Sequence, residues 1–295
     1  MNHWIMDYET LSNCFVAVFE HYKTSEKKVF VVHKLQNDFD SFVEFLIQNR
    51  DEKQWHISFN GLAFDAQVTQ YILHNYHMWH SMGADEIASI IYDFAQETID
   101  RQNRKEWGVF APWQLHIGQI DLFKLHHWDN PAKRSSLKWI QYSMDWENLL
   151  DMPIHHTTNI QNQEELDIIV EYCINDVAST KAIFNRSKSQ IRLRKELTSQ
   201  YKINLFSASE PRIAKELFAY YLSRKLNIST REIKRMKTYR STINVEDLIL
   251  PYIKFDSPVF KQALKRFKSL ELDASKLKGQ FKYELEHNGV HTTFA

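Results

Sequence analysis

Three observations predict an α/β fold for this chain, with a mixed five-stranded sheet flanked by helices and a mostly helical C-terminal extension. Short runs rich in β-branched and aromatic residues open the sequence, and segments with helical spacing then alternate with two further runs of that kind. Only six glycines and six prolines punctuate 295 residues, so long elements outweigh loops. Hydrophobic residues make up 43%, enough to bury one large core or two smaller ones.

Taken in order, His3 to Glu9, Cys14 to His21 and Lys28 to His33 are three strands separated by hairpin-sized gaps. Phe39, Phe42, Val43, Phe45 and Leu46 keep helical spacing from Asp38 to Gln48, where Asp38 can cap. Trp55 to Phe59 is a fourth strand. Ala63 to His77 and Ala84 to Gln102 are helices, and His116 to Leu122 is the fifth strand. Leu137 to Ser143 is a short helix. After a loop closed by Pro153, Gln163 to Ser187 is a long helix whose first turns carry Glu164, Glu165 and Asp167, favourable at the positive end of its dipole. From Arg186 the chain is basic and helical in pattern, broken at Pro211, Pro251 and Pro258.

A formal net charge of zero conceals two unlike parts. Residues 1 to 180 hold 13 Lys and Arg against 26 Asp and Glu, a balance of −13, and residues 181 to 295 hold 24 against 11, a balance of +13. A basic part beside an acidic one suits a protein that grips a phosphate backbone and holds divalent cations, although solvated helix faces give the same count. No run approaches a membrane span, and Asp7 and Glu9 stand where a signal peptide would be apolar, so an intracellular protein is expected, in the host cytoplasm if viral. Two cysteines, Cys14 and Cys173, form neither a disulfide framework nor a thiolate zinc site, and both are expected in the core. Histidine pairs such as His126-His127 and His155-His156 raise a zinc-hydrolase alternative, but adjacent residues lack the helical spacing of such ligands.

Three small groups of residues carry chemistry. In Asp7-Tyr8-Glu9, residues two apart on a strand point to one face, so two carboxylates stand side by side. Hard divalent cations such as Mg²⁺ or Mn²⁺ relieve that repulsion, and so does plain solvation on an edge strand. Asn60-Gly61-Leu62-Ala63-Phe64-Asp65 follows a strand and opens a helix, which places Asp65 in a first helical turn. Tyr172 and Asp176, four apart, lie together on the margin of the stripe formed by Leu166, Ile169, Val170, Cys173 and Val177.

In this order, Asp7-x-Glu9, Asn60-x-x-x-Phe64-Asp65 and Tyr172-x-x-x-Asp176 resemble the three motifs of the DEDDy subgroup of ribonuclease H-like, DnaQ-like 3′-to-5′ exonucleases. The second is most similar to proofreading domains of phage-type family B DNA polymerases. Ile120-Asp121-Leu122, Ser136-Leu137-Lys138 and Glu171 to Val177 extend the likeness over about residues 1 to 185. Tyr283 to Ala295, with Asn288-Gly289-Val290-His291, is similar to a connector toward a polymerase domain, making 186–295 a basic helical extension or connector. No Asp-x-x-Ser-Leu-Tyr polymerase motif is present. The first motif begins at residue 7, which favours a compact viral variant or an isolated fragment.

The resemblance implies a two-metal-ion exodeoxyribonuclease that removes nucleoside monophosphates from single-stranded DNA or a primer 3′ end during replication, with a polymerase domain or subunit as partner. Two Mg²⁺ or Mn²⁺ ions would be held by Asp7, Glu9, Asp65 and Asp176. Tyr172 would orient the attacking water rather than act as a base. Thr10 and Leu11 would line the terminal nucleotide, Asn60 would hydrogen-bond the strand, Phe64 would stack on bases, and Lys138 would approach the phosphate. Asp121 is expected to be structural. An RNA-trimming enzyme of the same fold and a non-catalytic nucleic-acid-binding module are the alternatives, since four acids do not read the sugar.

Overall fold

The structure is a computed structural model that describes residues 3–106, 108–130, 132, 135–273, 275–276, 283–287 and 290–294. Its contacts divide the chain into two compact units, Met1–Phe218 and Ala219–Ala295.

The first unit is a six-stranded sheet between two helical layers. Strands β1 (His3–Leu11), β2 (Cys14–His21), β3 (Lys27–His33), β4 (Gln36–Asn37), β5 (Trp55–Ser58) and β6 (Gly118–Asp121) lie in the order β4-β3-β2-β1-β5-β6. β1 through β4 pair antiparallel in sequence, whereas β5 joins β1, and β6 joins β5, in parallel. Parallel neighbours need a crossover, and helices α1 (Phe39–Asp51), α2 (Asp65–Asn75) and α3 (Ala84–Asn103) supply it.

Alternation along β1 and β2 serves both layers. Trp4, Met6 and Tyr8, with Phe15, Ala17 and Phe19, face a core shared with α1, α2 and α3. Ile5, Leu11, Val16 and Val18 face a second core, shared with α6 (Gln163–Arg186). Leu166, Ile169, Cys173 and Val177 supply the α6 side of it, as the helical stripe predicts.

A sixth strand stands where five are expected. The two residues of β4 fold back on Val32 and His33, and the Asp38 carboxylate pins the turn by accepting from the backbone N–H of Val31 at 3.0 Å and from Gln36 Nε2 at 2.7 Å. Asp38 therefore does not cap α1 with its side chain. Short-range strand pairing outbid the helix end for that carboxylate.

The first unit also reaches well past residue 185. α7 (Lys188–Tyr201) carries Arg194, whose side chain is fully buried and donates to the carbonyls of Ala208, Gln190 and Leu125. Ser207 Oγ accepts from the Asp121 N–H and donates to the Gln119 carbonyl, extending the open edge of β6. Leu205, Ala208 and Ile213 form a small core of their own beneath α8 (Glu210–Leu226). A lysine- and arginine-rich composition hides these anchors, because a single guanidinium turned inward can donate to three carbonyls at once.

The second unit contains the rest of α8, α9 (Thr230–Arg235) and α10 (Pro258–Lys268). Ser229 and Glu232 close a capping box at the start of α9. The extension expected to be mostly helical also carries four short strands, β7 (Thr242–Asn244) paired with β8 (Glu271–Asp273) and β9 (Tyr283–His287) paired with β10 (Val290–Phe294). Of the connector-like segment, Asn288, Gly289 and Ala295 lie outside the described residues. Among the described residues, no helix is long and apolar enough to cross a membrane.

Candidate active site

β1 pairs with β5 only from His3 to Ile5, opposite Trp55 to Ile57. Beyond Ile57 the two strands part, because the chain after Ser58 turns into the loop that leads to α2. Asp7 and Glu9 lie on β1 just past that fork, on the face turned to α6. Splayed carboxyl ends of parallel strands are where open α/β sheets bind ligands. Here they border a cleft of about 740 Å³ lined by Asp7, Asp176, Asn60, Phe59, Phe123, Ser135, Ser136, Leu137 and Trp139.

The fork loop is held by Asp121, at the end of the neighbouring β6. Its buried carboxylate accepts from the backbone N–H groups of Asn60 at 3.1 Å and Leu62 at 3.2 Å, and from Phe123 and Lys124 at the start of α4 (Leu122–Leu125). Asp121 is thus a structural clamp, as expected. Asn60 takes a left-handed backbone with φ of 64°, which Asn tolerates better than most residues. A Cβ at Gly61 would sit 1.9 Å from Ser58 Oγ and 3.1 Å from Asp65 Oδ2, so only glycine lets the loop pass this close. The loop delivers Asp65 as the first residue of α2, with 2% of its surface exposed.

The acids meet electrostatically. Burial, and then the charges of Asp65, Glu9 and Asp176, hold the Asp7 carboxyl well above the usual carboxylate range. Burial and the charges of Asp176 and Asp65 push Glu9 up to about 8. Burial raises Asp65 to about 7, with the charge of Asp121 adding to it and backbone hydrogen bonds from its own residue and Tyr8 offsetting part. Asp176 is raised by burial too, but less freely, because Gln141, Tyr172 and Lys138 each stabilise its charge.

α6 presents Tyr172 and Asp176 on one margin, one turn apart. Gln141 on α5 (Leu137–Ser143) donates from Nε2 to Asp176 Oδ1 at 2.8 Å and to Ser179 Oγ at 2.8 Å. Tyr172 is hydrogen-bonded to Asp176, and burial followed by the charges of Asp176, Glu9 and Asp7 drives its phenol above the ordinary range. A phenol so placed stays protonated near neutral pH and serves as a donor.

Among the described residues, one trio of potential ligand atoms lies within 4.8 Å of one another: those of Asp7, Glu9 and Cys173. No histidine belongs to it, so the zinc alternative finds no cluster among the described residues. Cys173 Sγ donates to the Asp7 carbonyl at 3.4 Å, and burial followed by the surrounding acids raises its pKa well above the ordinary thiol value. It is a neutral floor under the acids. The remaining donors are carboxylate oxygens, and Asp65 Oδ1 is buried with no hydrogen-bond partner. A buried acceptor left open beside repelling carboxylates fits a hard divalent cation such as Mg²⁺ or Mn²⁺.

The residues expected to touch a substrate divide. Asn60 lines the cleft. Lys138 is exposed near Asp176 and ion-paired to Asp151, which leaves its charge available to steer but not directed into the cleft. Thr10 is buried, turned by strand alternation to the face opposite the acids, and the Leu11 side chain is wholly in the α6 core. Phe64 packs against the α1–α3 core, and the aromatic wall of the cleft is built instead by Phe59 and Phe123. Gln141 escaped the sequence reading. Its signal was a polar residue beside Ile140 on the inward face of a short helix.

Gln141→Ala removes two buried hydrogen bonds, which costs about 1–3 kcal/mol when their partners stay unsatisfied. The expected result is a melting temperature lowered by several degrees together with weaker divalent binding, since Asp176 loses the group that aims it. A variant with unchanged stability and unchanged metal titration would show that Asp176 is held by something else.

The fold and cleft define an α/β protein with a carboxylate-lined pocket at the fork of its central parallel strands. No family model matches the chain, and no curated protein or solved structure matches it either.

Proposed function

We propose that this chain is a metal-dependent 3′-to-5′ exonuclease of the DEDDy type with a ribonuclease H-like fold, acting on single-stranded DNA 3′ ends as the proofreading part of a phage-type family B polymerase. The observation that carries the reading is the convergence of Asp7, Glu9, Asp65 and Asp176, distant in sequence: the charges of Asp65, Glu9 and Asp176 raise Asp7, and those of Asp176 and Asp65 raise Glu9. Four antiparallel strands continued by two parallel ones, with the acids on β1, α2 and α6, also agree with the motif order.

Asp7, Glu9, Asp65 and Asp176 would hold two Mg²⁺ or Mn²⁺ ions. Bound there, the ions would activate water and offset charge on the leaving 3′ oxygen. Gln141 fixes the rotamer of Asp176, and Asp121 fixes the loop that carries Asp65, so the donors are arranged before substrate arrives. The Tyr172 hydroxyl, kept protonated, orients the attacking water by hydrogen bonding. Asn60 bonds the strand, and Phe59 and Phe123 exclude water around the scissile phosphate.

A time course on matched DNA and RNA single strands, each 5′-labelled and supplied with Mg²⁺, Mn²⁺ or chelator, tests this. Stepwise shortening of DNA from its 3′ end, abolished by chelator, is expected. RNA shortened alone would overturn the DNA assignment, and neither strand shortened with either ion would overturn the nuclease reading.

A further inference from the structure

Short helix α5 borders the cleft and turns two large aromatic side chains to solvent. Trp139 is 58% exposed and Tyr142 is 64% exposed. Three residues apart, they share one helix face, with ring centroids 5.8 Å apart and planes only 28° from parallel. The opposite face is fastened by buried Ile140 and Gln141, and Ser136 caps the first turn by accepting from the Trp139 N–H at 3.1 Å. The helix is held in place from its other side, so the two aromatic faces are presented to solvent at a fixed place beside the cleft, an exposure that folding alone does not favour.

Position supplies the occupant. Trp139 lines the same cleft as Asp7 and Asp176, so a chain whose phosphate sits at the acids must pass this face. Polar backbone contacts can hold a phosphodiester, but a wide, flat, apolar surface facing water is matched by an unpaired nucleobase. A paired duplex offers no free base face to it.

We infer that Trp139 and Tyr142 form a stacking platform for the unpaired bases that lie upstream of the scissile phosphate, making this site selective for single-stranded ends. The assignment rests on the nuclease reading for the chemistry but not for the binding. Stacking is tolerant of base identity, so the platform selects unpaired strands over duplex without reading sequence. It does not distinguish DNA from RNA.

Two measurements test it on the full chain carrying Trp139→Ala and Tyr142→Ala. In Ca²⁺, fluorescence anisotropy compares a labelled single-stranded oligonucleotide with one of equal length that is abasic at its last three upstream positions. Wild type is expected to prefer the base-bearing strand about tenfold, and the double variant to bind both alike. In Mg²⁺, KM for the base-bearing oligonucleotide should rise about tenfold in the variant, while KM for the strand abasic at the upstream positions, which has no base to stack there, should change far less. Trp139→Phe should restore most of the preference. Equal binding of the two strands by wild type overturns the platform, and so does an equal rise of KM on the base-bearing and abasic strands in the variant. If wild type hydrolyses neither substrate yet still prefers the base-bearing strand, the nuclease reading falls and the platform stands.

Discussion

Replacing both Asp7 and Glu9 by Ala is expected to reduce metal-dependent trimming by on the order of 10³-fold or more, while affinity for the strand is unchanged or slightly tighter. Both side chains lie on the α6 face of β1 just past its fork with β5, Asp7 lining the cleft, and their removal leaves Asp65 and Asp176 without neighbours to share an ion. Strand binding should survive because a polyanion gains nothing from two carboxylates. Loss of fold is not a competing explanation, since deleting two like charges whose protonation is already forced upward relieves repulsion. The double variant should therefore melt no lower than wild type in chelator. Trimming at the wild-type rate would place the chemistry elsewhere. Single Asp7→Asn and Glu9→Gln variants, which keep shape and remove charge, should each show most of the loss, because residues acting as a unit are not additive.

Local geometry made the acids legible before any fold was known. Asp7 and Glu9 follow from the two-residue repeat of a strand, Asp65 from a loop between strand and helix, and Tyr172 with Asp176 from one helical turn. What stayed hidden depends on groups far apart in the chain that meet only when folded. Gln141 reaches across to Asp176 and Asp121 reaches back to Asn60 and Leu62, and neither contact leaves a periodic trace. Arg194 is one of many cations in a basic stretch, and only its three carbonyl partners in the fold set it apart. The fifth strand was expected to run through Leu122, but it ends at Asp121 because that carboxylate caps the helix that follows. Phe64, given base stacking by the resemblance, is partly buried and packs against the α1–α3 core, a contact that its motif position does not announce.

The strongest physical consequence of the clustered acids is a stability that falls as pH rises when no divalent cation is bound. Unfolded, Asp65 and Glu9 titrate at about their ordinary values of 3.8 and 4.5, and folded they titrate at about 7 and about 8. Between those limits the folded chain holds protons that the unfolded chain has released, so raising the pH favours unfolding. Stability from this source is full below about pH 4 and is lost as the pH passes through 7 to 8. For buried Asp65 alone the difference is on the order of 4 kcal/mol at its upper limit. In a unit of this size that corresponds to a melting temperature about 5 to 10 °C lower at pH 8.5 than at pH 5 in chelator. Mg²⁺ or Mn²⁺ binds the ionised form, so it should restore the loss, and its stabilising effect should grow with pH. Asp65→Asn removes the charge, and should melt higher than wild type in chelator at pH 8.5 and respond weakly to the ions. Thermal scans of both proteins from pH 5 to 8.5, with and without the ions, give the comparison in which unrelated titrating groups cancel. A wild-type melting temperature that stays level or climbs relative to Asp65→Asn over that range would mean that burial does not hold the Asp65 carboxyl protonated, and that no cation is required to offset its charge.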